Sequence, residues 1–330
     1  MSAKQKQKPP SETEKKWTET MGKLCDERYP ADGKAAILTG VKDEEITGEM
    51  LAVCARFLMQ RVLPLNLKGI DVCGTGGDKS KEEVKTFNIS TAVAFVVAAG
   101  GVSVIKHGNK AVSSQSGSSD VLAALHVPVA TNAAMATTQH KHHNLCFVSA
   151  PAFHPALASL APVRKAIGKP TFLNLLGPLC NPARTARQLM GVFGHQQEVA
   201  EAAKHLGRAE VMIVHSEDGL DEISLSGLTQ IYRLRDSRIE EILICPEDVG
   251  LKTVPMIELK GGTADENAAI ITEIFSGKEG APADIVCLNA AAAFVTAGKD
   301  DGFEAGIARA REILQSGLAL QKLEAMKTAK

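Results

Sequence analysis

Between residues 69 and 130 the chain alternates short strand-like runs with helical ones. GIDVCG (69–74) reads as a strand running into a glycine turn and STAVAFVVAAG (90–100) as a helix. GVSVIKHG (101–108) reads as a strand, SSDVLAALH (118–126) as a helix and VPVA (127–130) as a further strand. Strand, helix, strand in succession is the signature of parallel βαβ units, so an α/β fold with a mostly parallel central sheet is expected. AEVMIVHS (209–216) adds a strand ending at a polar loop. ADIVCLNAAAAFVTAG (283–298) suits either a strand or the start of a buried helix, and residues 304–326 read as helix.

The first 67 residues differ in kind. Residues 1–11 are polar with two prolines and are expected to form a disordered tail. From Ser11 to Cys25 the apolar side is Trp17, Met21 and Leu24. LTGVKDEEITGEMLAVCARFLMQRV (38–62) gives two further helical segments, the second with Thr47 as a suitable cap, because Met50, Leu51, Val53, Cys54, Phe57, Leu58 and Val62 recur near a 3.6-residue period. Residues 150–182 are apolar, proline-punctuated and mostly helical.

Composition narrows the partners. With 37 basic and 38 acidic residues the formal charge is −1, so no global field favours nucleic acid or an anionic membrane. An anionic ligand must be held by a local cluster. One Trp, two Tyr and ten Phe argue against stacking platforms for single strands. The seven cysteines are scattered with no C-x-x-C pair, which reads as reduced thiols in a cytoplasmic protein. The N-terminus has no apolar core of a secretory signal. The longest nearly apolar run, AVAFVVAAGGVSVI, covers 14 residues where a membrane span needs about 20.

Three segments carry candidate chemistry. GTGGD (74–78) follows a strand, and a helix starts near Asn88 to Thr91, which brings backbone N–H groups and a helix N-terminus to one point. Such a junction binds phosphate without side-chain charge, although a plain tight turn with a helix cap has the same residues. It is neither a P-loop, since no GK[ST] follows, nor G-x-G-x-x-G. KHGNKAVSSQSGSSD (106–120) is a second strand–helix junction, able to wrap a polyanion with Lys106 and many short donors, or else a solvated serine-rich loop. Adjacent Asp221 and Glu222, after the strand 209–216, could bind Mg²⁺ together with substrate phosphates, or be surface charge. The run HKHH (His140, His142, His143) has no cysteine or carboxylate at ligand spacing and reads as a solvated helix end.

Taken together, DVCGTGGD, TFNIST, KHGN, SGSSDVL, FHPA, PVRKAIG, NLLGPLCNP, HSEDGLDEISLSG, DENAAI and LNAAAA resemble the anthranilate phosphoribosyltransferase family, in the right order over roughly residues 15 to 326. Nucleoside phosphorylases are similar in fold, but KHGN and PVR favour the former. The resemblance implies Mg²⁺-dependent transfer of the phosphoribosyl group of phosphoribosyl diphosphate to the amine of anthranilate, giving N-(5-phosphoribosyl)anthranilate and diphosphate in tryptophan biosynthesis. The alternatives are a related phosphoribosyl- or nucleoside-processing enzyme with another acceptor, and a non-catalytic nucleic-acid-binding relative.

The resemblance also implies the site. The phosphoribosyl diphosphate contacts would be Gly74, Gly77, Asp78, Thr86, Asn88, Ile89, Ser90, Thr91, Lys106, His107, Gly108, Asn109, Lys110, Ala111, Val112, Ser113, Ser114 and Ser118. The magnesium ligands would be Ser90, Asp221 and Glu222. Gly74, Asn109, His154 and Arg164 would contact anthranilate, with Phe153 and Pro178 flanking its channel. Lys106, His107 and Arg164 are the catalytic candidates, His107 reading more simply as a hydrogen-bond donor of its loop than as a general base. A small helical domain, residues 12–67 joined by roughly 154–178, would pack beside an α/β domain of 68–153 and 179–330. The cleft would lie between them at the C-terminal ends of the strands. A homodimer through the helical domain is implied by the resemblance alone.

One stretch departs from the family. Lys79 stands where a glycine is usual after GTGGD, and KSKEEVK (79–85) lengthens the link to Thr86. The insert suits either an exposed bulge or a basic flap using Lys79, Lys81 or Lys85.

Overall fold

The computed structural model describes residues 9–75, 84–109 and 117–329. Three helices open the chain: α1 (Glu12–Cys25), α2 (Ala31–Gly40) and α3 (Gly48–Met59). Ser11 caps α1 by accepting the Glu14 N–H, and α1 buries Trp17, Met21 and Leu24. Thr47 caps α3 by accepting from Met50 N–H, as its position suggested.

The α/β part follows: β1 (Ile70–Gly74), α4 (Ile89–Ala99), β2 (Val104–Gly108), α5 (Ser118–Ala124), α6 (Ala133–His143), β3 (Leu145–Ser149), α7 (Ala150–Phe153), α8 (Ala161–Ile167), α9 (Leu173–Leu179), β4 (Arg187–Gly191), α10 (Gln196–His205), β5 (Glu210–Ser216), β6 (Thr229–Arg235), β7 (Arg238–Ile244), α11 (Ala264–Phe275), α12 (Ala281–Ala297), α13 (Phe303–Gln315) and α14 (Leu318–Lys327). Among the described residues seven strands make one sheet in the order β3-β2-β1-β4-β5-β6-β7. The first five are parallel, and β6 and β7 add an antiparallel hairpin at the β5 edge. The α/β expectation and the mostly parallel sheet are thus borne out.

One detail of the strand reading is corrected and one open alternative is resolved. VPVA (127–130) is not a strand: only Ala130 forms an isolated bridge, to Val148. Pro128 has no N–H to give a ladder, and the third strand is Leu145–Ser149. Residues 283–298 fall in the 17-residue helix α12 and its C-cap, whose side chains are buried almost all round.

Alternation along each strand sends side chains to two cores. Ile70, Val72, Val104, Leu189, Met212 and Val214 point to one face, packed by α4 and by the C-terminal helices α11 to α14. Cys73, Ile105, Met190, Val211 and Ile213 point to the other, packed by α1, α3, α9 and α10. On that second face the N-terminal helices meet residues 155–179: Lys34 Nζ donates to Ser159 Oγ at 2.9 Å, and Trp17 stacks edge-on against Phe172.

Strand order reverses between β1 and β4. The chain grows from β1 through β2 to β3 on one side, then returns to lay β4 and β5 on the other. In open α/β sheets the crevice outside the carboxyl ends at such a switch point is where ligands bind.

Candidate active site

Both strands at the switch point end in glycine. Gly74 of β1 pairs with Gly191 of β4, and the loop after β5 crosses over them. A Cβ on Gly74 would lie 2.7 Å from Asp221 Oδ2. One on Gly191 would lie 2.5 Å from the Asp221 carbonyl carbon, with the carbonyl oxygen closer still. Glycine at both ends therefore lets the Asp221 backbone rest on the sheet edge. Thr75 adds a donor toward Asp221 Oδ2 at 3.4 Å. From α12 the fully buried Asn289 clamps the next residue but one, accepting from Ile223 N–H at 2.9 Å and donating to Ile223 O at 2.8 Å.

The carboxylate pair faces the N-terminus of α4. The Ser90 N–H and hydroxyl both donate to Glu222, which suits a helix N-terminus with orphan donors and a positive dipole end. Glu222 is nevertheless raised to about 8, first by burial and then by the charge of Asp221 beside it. Lys106, on the same face of the sheet as α4, is 3% exposed and donates from Nζ to Val72 O at 2.5 Å and to Ser90 Oγ at 3.0 Å. Two adjacent carboxylates that repel one another, with a serine hydroxyl beside them, suit a divalent cation. Among the described residues no group of three or more His, Cys, Asp and Glu could enclose a metal. The donor set thus fits Mg²⁺, which is held by one or two carboxylates while phosphates and water complete its shell.

One residue on, β2 points to the opposite face. His107 N–H donates to Asp71 Oδ1 at 3.3 Å, and Asn181 Nδ2 donates both to Asp71 Oδ2 and to Ile105 O at 2.8 Å. Asp71 is fully buried, and its pKa is raised by that burial against the lowering effect of Asn181 and Lys106. The His107 ring lies 5.1 Å, centroid to centroid, from that of His154. Each imidazole bonds a backbone carbonyl, Gly177 for His107 and Cys180 for His154. Burial holds both below the usual histidine range, His107 at about 3. Both are therefore neutral near pH 7, and among the described residues neither buried Nε2 has a hydrogen-bond partner.

Arg164 sits in α8, half-buried, with its pKa lowered by desolvation alone. Its guanidinium reaches Asn174 Oδ1 at 3.4 Å, an atom that also accepts from Thr171 N–H at 3.1 Å. Asn174 and Gly177 both belong to α9, so one helix touches Arg164 and His107. Phe153 and Pro178 are buried nearby in the chain, in α7 and α9.

Gly108 ends β2, and Asn109 O accepts from Ser118 Oγ at 3.1 Å and from Ser119 N–H at 3.2 Å. Ile89 and Thr91 are buried in the first turn of α4, and among the described residues Thr91 Oγ1 has no hydrogen-bond partner. Thr86 bridges to Lys260, and Asn88 bonds Asn267. Gly77, Asp78, Lys110, Ala111, Val112, Ser113 and Ser114 lie outside the described residues, as do residues 79–83 of the insert. The HKHH run forms the exposed end of α6, where His140 Nε2 meets Lys68 O at 3.0 Å.

Four supporting residues had no role assigned from the sequence: Asn174, Asn181, Asn267 and Asn289. Asn174, Asn181 and Asn289 interrupt largely apolar runs, as in CLNAA or LCNP, Asn267 follows the acidic first turn of α11, and three of the four are at most 2% exposed. A buried amide is costly unless bonded, so an asparagine inside such a run signals a clamp on nearby backbone.

Residues 66–320 match the sequence profile of the family described as "Glycosyl transferase family, a/b domain". An anthranilate phosphoribosyltransferase of Brevibacillus brevis is 44% identical over 314 residues, covering 93% of this chain and 90% of the relative. That of Petrotoga mobilis is 42% identical over 285 residues, covering 85% and 82%. Among solved structures, the anthranilate phosphoribosyltransferase of Thermus thermophilus superposes with a TM-score of 0.86 at 36% identity, covering 95% of this chain and 94% of the other. The Saccharomyces cerevisiae protein in complex with PRPP and Mg gives 0.82 at 27% identity, covering 96% and 92%.

Proposed function

The chain belongs to the anthranilate phosphoribosyltransferase family, and from that premise we propose that it transfers the phosphoribosyl group of phosphoribosyl diphosphate to the amine of anthranilate, with Mg²⁺. The products are N-(5-phosphoribosyl)anthranilate and diphosphate, a step of tryptophan biosynthesis. The observation that carries the reading is the meeting of Lys106, Ser90 and the Asp221–Glu222 pair at the switch point of the sheet.

In this reading the anomeric C–O bond to diphosphate breaks while a C–N bond forms, and the amine then gives up a proton to the departing diphosphate or to water. The glycosyl carbon passes through an oxocarbenium-like state. Ser90, Asp221 and Glu222 would hold Mg²⁺, which would neutralise charge gathering on the diphosphate. Lys106 is a preorganised cation beside the same charge, held in place by Val72 O. The N–H groups at the start of α4 and the residues 106–109 and 118 line the polyanion's side of the cleft.

Anthranilate's amine is neutral, so no strong base is needed to activate it. His107, with a pKa near 3, is poorly suited to take the proton. Its unpartnered Nε2, and that of His154, instead suit accepting a hydrogen bond from the amine or ordering it. Arg164 is proposed to clamp the acceptor carboxylate, since among the described residues its desolvated guanidinium hydrogen-bonds an amide oxygen and no carboxylate. Gly74 and Asn109 are proposed to line the acceptor's path between the two sides.

The same reading proposes a helical domain of residues 12–67 and roughly 154–178 against the α/β remainder, a homodimer and a cytoplasmic location. The packing of α1 and α2 on residues 155–167 supports the first, and seven free cysteines support the last. No helix among the described residues is long and apolar enough to cross a membrane. Loss of anthranilate fluorescence on adding phosphoribosyl diphosphate, dependent on Mg²⁺, tests the function. Turnover of uracil or thymine in place of anthranilate would overturn the acceptor assignment.

A further inference from the structure

Four consecutive carbonyls at the end of α9 are each met by a side chain from elsewhere in the chain. Gly177 O receives the His107 ring, and Pro178 O receives Gln188 Nε2 at 2.9 Å. Leu179 O receives the Arg208 guanidinium at 3.0 Å, and Cys180 O receives the His154 ring. The last carbonyls of a helix have no partner within it, so buried ones need such donors.

Two of the four donors are imidazoles, and the carbonyls settle their tautomers. Among the described residues neither Nε2 has a hydrogen-bond partner, so each ring donates to α9 from Nδ1 and carries its lone pair on Nε2. With both Nδ1 atoms turned to one helix end, both Nε2 atoms lie on the far side of their rings from it. The residues are 9% and 5% exposed, and burial keeps both rings unprotonated near pH 7. A ligating histidine ordinarily has this form: neutral, with its other ring N–H on a backbone carbonyl. An imidazole centroid stands about 3.2 Å from a zinc bound at about 2.1 Å, so two rings on one tetrahedral zinc have centroids about 5.2 Å apart. The His107 and His154 centroids are 5.1 Å apart.

We propose that His107 and His154 form a seat for one divalent transition metal, held by the two Nε2 atoms, with water or a small chelating anion in its other positions. Imidazole nitrogen suits zinc, copper and nickel, whereas Mg²⁺ seeks oxygen. The seat is distinct from the carboxylate pair, because Lys106 on the Ser90 side and His107 point to opposite faces of the sheet. Neighbouring groups leave it a nitrogen site. Asp71 is engaged by Asn181 and by the His107 N–H, and burial pushes the Cys180 thiol up to about 12, so it offers no ready thiolate. Among the described residues no third His, Cys, Asp or Glu joins the pair. Its affinity is therefore micromolar, weaker than that of a closed structural zinc site.

Zinc chloride titrated calorimetrically into the full chain, without substrates, tests the seat. The expected result is one zinc per chain at micromolar Kd, unmoved by about a hundredfold excess of Mg²⁺. His107→Gln and His154→Gln should each weaken it by about tenfold or more. The exposed end of α6 offers a rival pair, His142 and His143, with ring centroids 6.4 Å apart. The double variant His142→Ala/His143→Ala should keep the zinc. Absence of binding, displacement by Mg²⁺, or loss of the zinc in the α6 variant would each overturn the proposal. Wild-type crystals soaked in zinc give a test that needs no variant to fold. An anomalous peak within bonding distance of both Nε2 atoms is expected, and a peak found only at cysteines, at Asp221 and Glu222 or at α6 would refute the assignment.

Discussion

The two strand-end glycines predict a graded response to a single methyl group. In Gly191→Ala the new Cβ would lie 2.5 Å from the Asp221 carbonyl carbon and 3.2 Å from its Cα. Carbon atoms settle at about 3.5–4.0 Å, so the loop backbone must retreat by roughly 1 Å or more. It cannot retreat freely, because Asn289 holds Ile223 by two hydrogen bonds and Ser90 holds Glu222. Overpacking against a constrained backbone typically costs about 1–3 kcal/mol, and a misplacement of about 1 Å in a positioned site can cost about a hundredfold in rate.

Gly74→Ala presents the milder case. Its Cβ would meet only the carboxylate end, Asp221 Oδ2 at 2.7 Å, which can turn away. Neither glycine has a positive φ, so alanine brings no backbone strain at either position. Urea unfolding and anthranilate fluorescence loss at a series of Mg²⁺ concentrations measure both. Gly191→Ala should be less stable and should need far more Mg²⁺ for half-maximal rate, whereas Gly74→Ala should shift the Mg²⁺ midpoint less. If Gly191→Ala keeps wild-type stability and Mg²⁺ dependence, the Asp221 loop does not depend on that contact. If Gly74→Ala is the worse of the two in Mg²⁺ dependence, the steric ranking is wrong.

Arg164→Ala should raise the anthranilate KM by about a hundredfold, the scale of a lost charge-assisted pair, and leave the phosphoribosyl diphosphate KM within about twofold; equal rises would remove Arg164 from the acceptor side. The unfolded chain titrates its histidines near pH 6.5, while burial keeps folded His107 unprotonated down to about 3 and lowers His154 as well. The folded state therefore refuses protons that the unfolded chain takes, so stability is fully present above about pH 6.5 and falls on acidification by about 1.4 kcal/mol per pH unit per histidine. In urea titrations at a series of pH values, His107→Gln should flatten that slope by one proton, and an unchanged slope would mean His107 is protonated when folded. Deleting residues 80–83 shortens the chain between two anchors, Thr75 tied to Gly191 and Lys85 tied to Gly261; the expected change in closure entropy is below about 1 kcal/mol. Unchanged turnover and melting temperature are expected of a passive bulge, and a large loss of donor affinity would assign Lys79, Lys81 or Lys85 to the phosphates.

What was legible in the sequence follows local signals. β1, α4 and β2 stood out because apolar runs end at glycines and the helix has a clear start. β4 was missed because it begins Arg187-Gln188, residues that look exposed; in the structure Arg187 pairs with Glu210 and donates to Thr296 O, and Gln188 donates to Pro178 O. β6 and β7 were missed because their turn is Asp236-Ser237. Both residues have positive φ, 49° and 60°, where the usual signal is Asn-Gly or Asp-Gly. β3 was masked by its neighbour: Val127 and Val129 look more strand-like than Leu145-Cys146, but Pro128 spoils the ladder. In the site, residue types were legible from the quoted motifs, whereas the buried asparagines that orient them were not. Their partners lie 66 to 179 positions away for Asn289, Asn181 and Asn267, a separation that no local pattern reports.

The insert KSKEEVK shows why a motif can be stretched and keep its meaning. In sequence the seven residues KSKEEVK between GTGGD and TFNIST read as an exposed bulge or a basic flap. In the structure the two halves have separate anchors. Thr75 N–H is fixed to Gly191 O at the end of β4, and Gly74 lies beneath Asp221. On the other side Lys85, Phe87 and Asn88 are tied to residues 259–267. Among the described residues, none of the bonds just named joins one half to the other. Because closing a longer loop between fixed points costs only slowly more, chain can be added between the anchors without moving either. The structural unit is therefore not the contiguous glycine loop. It consists of the end of β1 with β4 and Asp221, and of the start of α4 with the 259–267 turn, brought together by the sheet.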